Sequence, residues 1–316
     1  MMRHLLMFSY YFPPHGGGGV LRPLQTARLL AENGWRTTVV AGPESGWWLR
    51  DESLLEGLPK EVEIVRTRAL SGPGLLRLFS RNRPRQPGRG TTGRSERAIR
   101  LFRYLADWSG VPDVYCGWIP FAARAGKKIA SSVDCVLSTS PVESAHLAAR
   151  LVAQACNKPW IADFRDPWVR GIYRRYPTAL HRRFQERLEQ MVVRDAGAVI
   201  VNTGAALEDF HYRYPDLPPE KFVAIPNGYD PQEFKKQKAE RVVEPGPLKM
   251  IHAGGLSLDR DPCTVFKALA ELKKESTGEN APLPPQLELV GLVDEKFRSR
   301  AETLGVDDLV TFTGPV

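Results

Sequence analysis

The chain is 316 residues long, 42% hydrophobic and 25% charged. These are ordinary globular values, which exclude a disordered or fibrous class for the whole chain and suit about two domains. A net charge of +8 with a pI near 9.4 favours a phosphorylated ligand, nucleic acid or an anionic membrane surface as partner. Cys116, Cys135, Cys156 and Cys263 show neither a CxxC pair nor metal-ligand spacing. They read as small buried hydrophobes in a reducing compartment.

At the N-terminus, "MMRHLLMFSYYFPP" places an Arg before a short apolar run. That run breaks into Ser, Tyr and Pro without a small-residue cleavage site, so a first buried strand is expected rather than a signal peptide. Nowhere do about eighteen apolar residues run together, so no spanning helix is expected and the protein reads as cytoplasmic. Four glycines follow, then Val20, Leu24, Ala27 and Ala31 at helical spacing, with Gly34 placed to close the helix.

"RTTVVAG", "EVEIVRT", "VDCVLSTS", "KPWIADFRD" and "AGAVIVNTG" read as further strands, with helices around residues 146–155 and 181–194 between several of them. Strands alternating with helices predict a doubly wound parallel sheet, here filling residues 1–230. Within it, residues 77–103 are rich in Arg, with Arg77, Arg81, Arg83, Arg85 and Arg89 in the first half. This segment reads either as a solvated insertion or as a basic arm for phosphates or anionic lipid, each cation there contributing on the order of 1 kcal/mol.

Residues 231–247 are polar, charged and proline-flanked, as expected of a linker. The second unit, 248–316, reads as strand "LKMIHAGG", helix Pro262–Lys274, strand "QLELVGL", helix Glu295–Leu304 and strand "LVTFTG". This is about half of a doubly wound domain. An apolar sheet edge left open makes Val316 read as a truncation point.

Four stretches are candidates for chemistry. The opening "PPHGGGGVL" joins a strand to a helix through bare backbone, which suits phosphate at a helix N-terminus; a plain flexible turn is the alternative. It does not reproduce GxGxxG, and the second strand ends "VVAGPE" without an acidic ribose partner, which disfavours an NAD-dependent oxidoreductase. In "ADFRDPW", Arg165 and Asp166 leave the carboxyl end of a strand, where open sheets bind ligands. They could orient a hydroxyl or contact phosphate, or form a local ion pair ahead of Pro167; Trp168 adds a stacking surface for sugars. In "STSPVESAH", Ser140 or Ser144 suits a helix cap, and His146 is either a cleft residue or a packed one, with no Ser-His-Asp order. "HAGGLSLDRDP" repeats the opening logic, with Gly254, Gly255 and Arg260 suited to a diphosphate. No cluster has metal spacing, so charge on a leaving diphosphate falls to the protein itself.

Together "YYFPPHGGGGVLRPLQTARLL", "KPWIADFRDPW", "IPNGYD", "HAGGLSLDRDP" and "LELVG" with "VTFTGPV" resemble the retaining glycosyltransferases of family 4. That resemblance implies the GT-B fold: α/β, with two doubly wound Rossmann-like domains facing a cleft, the second incomplete here. It implies transfer of a sugar from a nucleotide-diphosphate sugar to a saccharide or lipid-linked acceptor in polysaccharide or glycolipid biosynthesis, with no bound metal or further cofactor. Gly16 and Gly17 would then lie over the donor phosphates or the acceptor in the interdomain cleft, with Gly254, Gly255 and Arg260 on the donor side. Asp166 with Arg165 would sit at the acceptor hydroxyl and be catalytic, His146 and Trp168 would line the acceptor side, and Asn227, Gly228 and Asp230 would form the hinge.

Two departures from the family pattern stand out. Gly255 occupies a position where the family commonly has an Arg, and the chain ends before the family's paired-glutamate segment, which puts full activity in doubt. A non-catalytic binding or regulatory module is therefore the competing expectation. Residues 77–103 are expected to give peripheral contact with an anionic membrane, and nucleic acid is not expected, because the arginines lack interleaved aromatics.

Overall fold

The structure is a computed structural model and describes residues 2–44, 49–70, 111–171, 176–230, 246–256, 260–276 and 281–314. The basic segment 77–103 and most of the linker lie outside the described residues. Two compact units divide between Tyr229 and Asp230.

The first unit is a sheet of seven parallel strands: β1 (Arg3–Phe8), β2 (Trp35–Ala41), β3 (Val62–Arg66), β4 (Cys135–Ser140), β5 (Trp160–Phe164), β6 (Ala198–Val201) and β7 (Phe222–Ala224). Their spatial order is β3-β2-β1-β4-β5-β6-β7, so the direction of winding reverses between β1 and β4. Helices α1 (Gly18–Glu32), α2 (Ile119–Ile129), α3 (Ser144–Cys156), α4 (Ala179–Asp195) and α5 (Gly204–Arg213) connect them.

The central strands are buried on both faces, as crossover helices on either side require. Along β1, Leu5 and Met7 enter one core with Leu24 and Ala27 of α1, while Leu6 and Phe8 enter the other with Ala122, Ala145, Ala149 and Val152 of α2 and α3. Gly34, in the left-handed region at φ 77°, closes α1 one residue past its cap, Asn33.

Three elements escape the sequence reading. Strand β7 has only three residues, too few for an alternation signal. Helix α5 is short, and α2 carries an interior glycine, normally a reason to reject a helix. Packing explains that glycine: a Cβ on Gly126 would stand 2.5 Å from Cζ of Phe8.

In the second unit β8 (Lys249–Ala253), β9 (Gln286–Val290) and β10 (Val310–Gly314) pair in parallel in the order β10-β9-β8. Helices α6 (Cys263–Glu275) and α7 (Glu295–Thr303) supply Phe266, Leu269, Phe297 and Ala301 to its own core. All four cysteines are free and half-buried rather than fully interior.

Candidate functional site

Doubly wound sheets bind ligands outside the strand carboxyl ends at the reversal point, here the gap between β1 and β4. Three loops converge there: the glycine turn after β1, "SPVE" after β4 and "RDPW" after β5. Beneath the first, Tyr10, Tyr115 and Trp118 pack ring against ring, with Tyr10 4.4 Å from Tyr115 and 5.2 Å from Trp118. This fixes the path of the chain into the turn.

The four glycines divide sharply by role. Gly16 is buried, donates its N–H to Leu49 O at 2.9 Å, and leaves no room for a side chain, since a Cβ would lie 2.9 Å from Cγ of Leu49. Gly17 takes φ 96° as the N-cap of α1, a conformation that suits glycine. Gly18 and Gly19 are exposed, and a Cβ at either would meet nothing within 4 Å. The N–H groups of Gly17, Gly18 and Gly19 have no hydrogen-bond partner among the described residues. The free donors therefore lie one to three residues beyond Gly16, at the positive end of a helix, where anions are favoured.

Arg165 turns away from that opening. Its guanidinium donates through Nη2 to Pro141 O at 3.0 Å, through Nη1 to Gly19 O and through Nε to Ser140 O. Burial lowers its pKa, against the raising influence of Asp163 and Asp166. Those donors are spent on holding the three loops together, which makes Arg165 a positioning group. Asp166, next along, is exposed on the rim.

The acceptor-side expectation for Trp168 and His146 needs correcting, because both side chains are fully buried. Trp168 donates Nε1–H to Oε1 of Gln185 at 2.7 Å, and Gln185 donates in turn to Pro112 O at 2.7 Å. His146 stacks on Phe164 with centroids 4.5 Å apart, its Nδ1 lying 2.7 Å from Oγ of Ser138. Trp160 Nε1–H donates to the same hydroxyl at 2.9 Å, while His146 Nε2 is buried without a hydrogen-bond partner among the described residues. Burial, aided by the Arg165 charge, pushes the His146 pKa down to about 3. Both residues are apolar-facing at helical or strand-end positions, and the sheet needs them as core. Ser144 does not cap its own helix either: its N–H and hydroxyl both donate to Asp113, at 2.7 and 2.9 Å.

Sequence reasoning missed the central ion pair. Arg22, one turn into α1, grips Asp163 at the end of β5 through Nη2 to Oδ1 at 2.8 Å and Nε to Oδ2 at 3.1 Å. Thr139 Oγ1 donates to the same carboxylate at 2.8 Å. Arg22 Nη1 reaches on to Ile225 O at 2.7 Å and Asn227 Oδ1 at 3.3 Å, while Asn227 N–H donates to Oδ1 of Asn202 at 3.1 Å. One guanidinium thus ties the opening helix, the middle of the sheet and the "IPNG" segment. The only available signal was the Arg of "GGGGVLR", which composition alone does not distinguish from its neighbours.

In the second unit, Gly254 takes φ 146° and donates to Val290 O at 2.7 Å. Gly291 takes φ 136°, and a Cβ there would stand 2.3 Å from Gly254 O, so two glycine backbones touch at the strand ends. Gly255 is exposed, its N–H without a partner among the described residues, and Arg260 is exposed as well. Nε2 of His252 is buried beside them without a hydrogen bond. Among the described residues, no group of three or more His, Cys, Asp or Glu side chains is placed to hold a metal ion.

Comparison with known proteins agrees with this architecture. No curated protein matches the chain by sequence. Among solved structures, Anabaena HepE in complex with UDP is 15% identical with a TM-score of 0.56, covering 100% of this chain and 70% of its own. The same Anabaena protein has also been solved with UDP-glucose, at 15% identity and a TM-score of 0.54, covering 99% of this chain and 69% of its own. WaaG, a glycosyltransferase involved in lipopolysaccharide biosynthesis, is 15% identical with a TM-score of 0.51, covering 99% of this chain and 70% of its own. These likenesses show the fold, an α/β architecture of GT-B type. The family model described as "Glycosyl transferase 4-like domain" matches residues 17–228, from the second loop glycine after β1 through strands β2 to β7 to the "IPNG" turn. The chain belongs to the glycosyl transferase 4-like family.

Proposed function

We propose that the protein is a retaining glycosyltransferase that moves a sugar from a nucleotide-diphosphate donor to a saccharide or lipid-linked acceptor in polysaccharide or glycolipid biosynthesis, at the cytoplasmic side of a membrane. The observation that carries this reading is the open turn at Gly17, Gly18 and Gly19, three amides without a partner among the described residues, at a helix N-terminus on the sheet's reversal point. It sits in a chain whose family match begins at that same turn. Amides so arranged suit phosphate or sugar oxygens, and no side chain blocks the approach.

In this reading residues 1–230 form the acceptor-side domain, 231–247 the linker and 248–316 the donor-side domain. Asp166, exposed on the rim, orients the acceptor hydroxyl. The hydroxyl oxygen bonds to the anomeric carbon as the bond to the diphosphate breaks, and the departing nucleoside diphosphate keeps the electron pair and takes up the hydroxyl proton. Gly254, Gly255 and Arg260 meet the developing charge. The nucleotide sugar is a co-substrate, with no further cofactor. The arginines of residues 77–103 provide peripheral contact with anionic lipid.

The test is a thermal-shift screen of the full-length protein against UDP-, GDP- and dTDP-sugars, followed by donor-turnover assays. One donor class is expected to raise the melting temperature. Asp166→Asn is expected to cut turnover about a hundredfold at an unchanged melting temperature, because the side chain is exposed. No response to any donor would sink the transferase reading in favour of a non-catalytic module.

A further inference from the structure

Helix α4 is amphipathic the wrong way round over its first half. It buries Gln185 and Glu189 and exposes Leu180 at 66% and Phe184 at 51%. The buried polar groups are accounted for: Gln185 holds Trp168 and Pro112, while Glu189 accepts from Val169 N–H, the Arg213 guanidinium and Tyr214 OH. The exposed apolar groups have no such account. At 100° per residue Leu180, Phe184, Arg187 and half-buried Met191 form one outward stripe, opposite Gln185, Glu189 and Val192.

Charge surrounds this stripe and is mostly of one sign. Arg183 and Arg187 are exposed beside it, while Arg182 is exposed on the opposite side of the helix with Glu186, the single exposed acid among residues 179–188. Glu186 is engaged by Arg182 at 3.5 Å. Arg183 and Arg187 have no ion-pair partner among the described residues. From the neighbouring α5, Tyr212 is 79% exposed on the wall of a groove it shares with Arg182 and Glu186. The charges facing that groove from other elements are Arg170, paired with Asp209, and Arg213, paired with Glu189 and Asp209.

The first turn of α4 carries no acidic residue. Cations at a helix N-terminus oppose the macrodipole, so this arrangement works against the helix's own stability. Local stability does not explain it, and a partner that neutralises the cations while covering Leu180 and Phe184 does. Because α4 follows β5, its first turn also stands at the sheet's carboxyl edge, the edge that bears Asp166.

We infer that the outward face of α4, built on Leu180, Phe184, Arg183 and Arg187, is a docking surface for an anionic lipid bilayer. The apolar pair enters the acyl boundary and the guanidiniums meet the headgroup phosphates. No helix among the described residues is long and apolar enough to cross a membrane, so the contact is superficial. This inference does not rest on the transferase reading, and it names a surface separate from residues 77–103.

Co-sedimentation of the full chain with phosphatidylcholine vesicles, with and without about one-third phosphatidylglycerol, tests it. Binding is expected only to the anionic vesicles and to weaken as salt rises. Leu180→Ser with Phe184→Ser is expected to reduce partitioning roughly tenfold. Arg183→Gln with Arg187→Gln is expected to reduce it roughly 25-fold, about fivefold for each charge removed. All four side chains are exposed, so circular dichroism and melting should not change. Arg81→Gln with Arg83→Gln and Arg85→Gln is expected to weaken binding as well, and the loss caused by the Leu180/Phe184 and Arg183/Arg187 changes should persist in that background. Equal binding to neutral vesicles, unchanged binding of the α4 variants, or loss confined to the 81/83/85 variant would each overturn the inference. So would a dimer that the Leu180/Phe184 variant dissolves, in a protein that ignores vesicles. Absence of donor turnover would leave it standing.

Discussion

Replacing Arg22 by Met keeps the aliphatic stem and removes the guanidinium that grips Asp163. The side chains are only 13% and 7% exposed, and the contact is two-pronged. The variant therefore leaves a buried carboxylate with Thr139 as its remaining hydrogen-bond donor among the described residues. Breaking a buried pair from one side costs about 3–5 kcal/mol, and losing the charge-assisted bond to Ile225 O adds about 1 kcal/mol. At about 2–4 °C per kcal/mol for a unit of this size, a total near 5 kcal/mol lowers Tm by about 10–20 °C. All seven tryptophans precede residue 169 and so belong to the first unit. Intrinsic fluorescence in a urea titration thus follows this unit without interference from the other. Asp163→Asn made alongside Arg22→Met should cost about 2 kcal/mol less than the sum of the two single changes, because the stranded charge is gone. A single-variant loss below about 1 kcal/mol, or strict additivity in the double variant, would refute the account of Arg22 as the tie of the unit.

Acidification should destabilise the first unit through His146. Its pKa falls from the ordinary 6.5 to about 3 on folding, so between those values the unfolded chain binds the extra proton. Stability is then whole above pH 6.5 and declines as the pH drops, by about 2 kcal/mol between pH 7.5 and 5. His15, also lowered by burial and by Arg66, acts with the same sign. Urea midpoints at the two pH values check this, and His146→Gln should flatten the difference by about 2 kcal/mol. Gly16→Ala should destabilise by about 1–2 kcal/mol, since its methyl meets Leu49 at 2.9 Å. Gly18→Ala, entering open space on the same turn, should change stability by less than about 0.5 kcal/mol; equal losses for the two would contradict the division of roles within the turn.

The sheet was legible because its central strands are continuous apolar runs. "HLLMF" and "TTVVA" can only be buried on both faces, and the intervening periodicity of Val20, Leu24 and Ala27 can only be a helix. Legibility failed where length or packing overrode local preference. Strand β7 offers three residues, and α2 contains a glycine whose reason is the ring of Phe8, some 118 residues earlier in the chain. No local window carries that information.

At the candidate site the failure has another cause. A sequence shows which chemistry a side chain possesses but not whether that chemistry is already spent. Arg165 and Arg22 have the same five donors, yet the residue beside an Asp at a strand end drew the functional reading. The fold spends Arg165 on three carbonyls and Arg22 on a carboxylate, a carbonyl and an amide. Trp168 was read for stacking and His146 as either a cleft or a packed residue, and both are buried with internal partners. What stays unspent among the described residues is mostly backbone: the N–H groups of Gly17, Gly18 and Gly19 in one unit and of Gly255 in the other. A turn of bare amides is held open by arginines that do not themselves face the opening. This locates recognition in the peptide groups and rigidity in the side chains, so substitutions at Arg22 or Arg165 should act through stability while those at Gly18 act through binding.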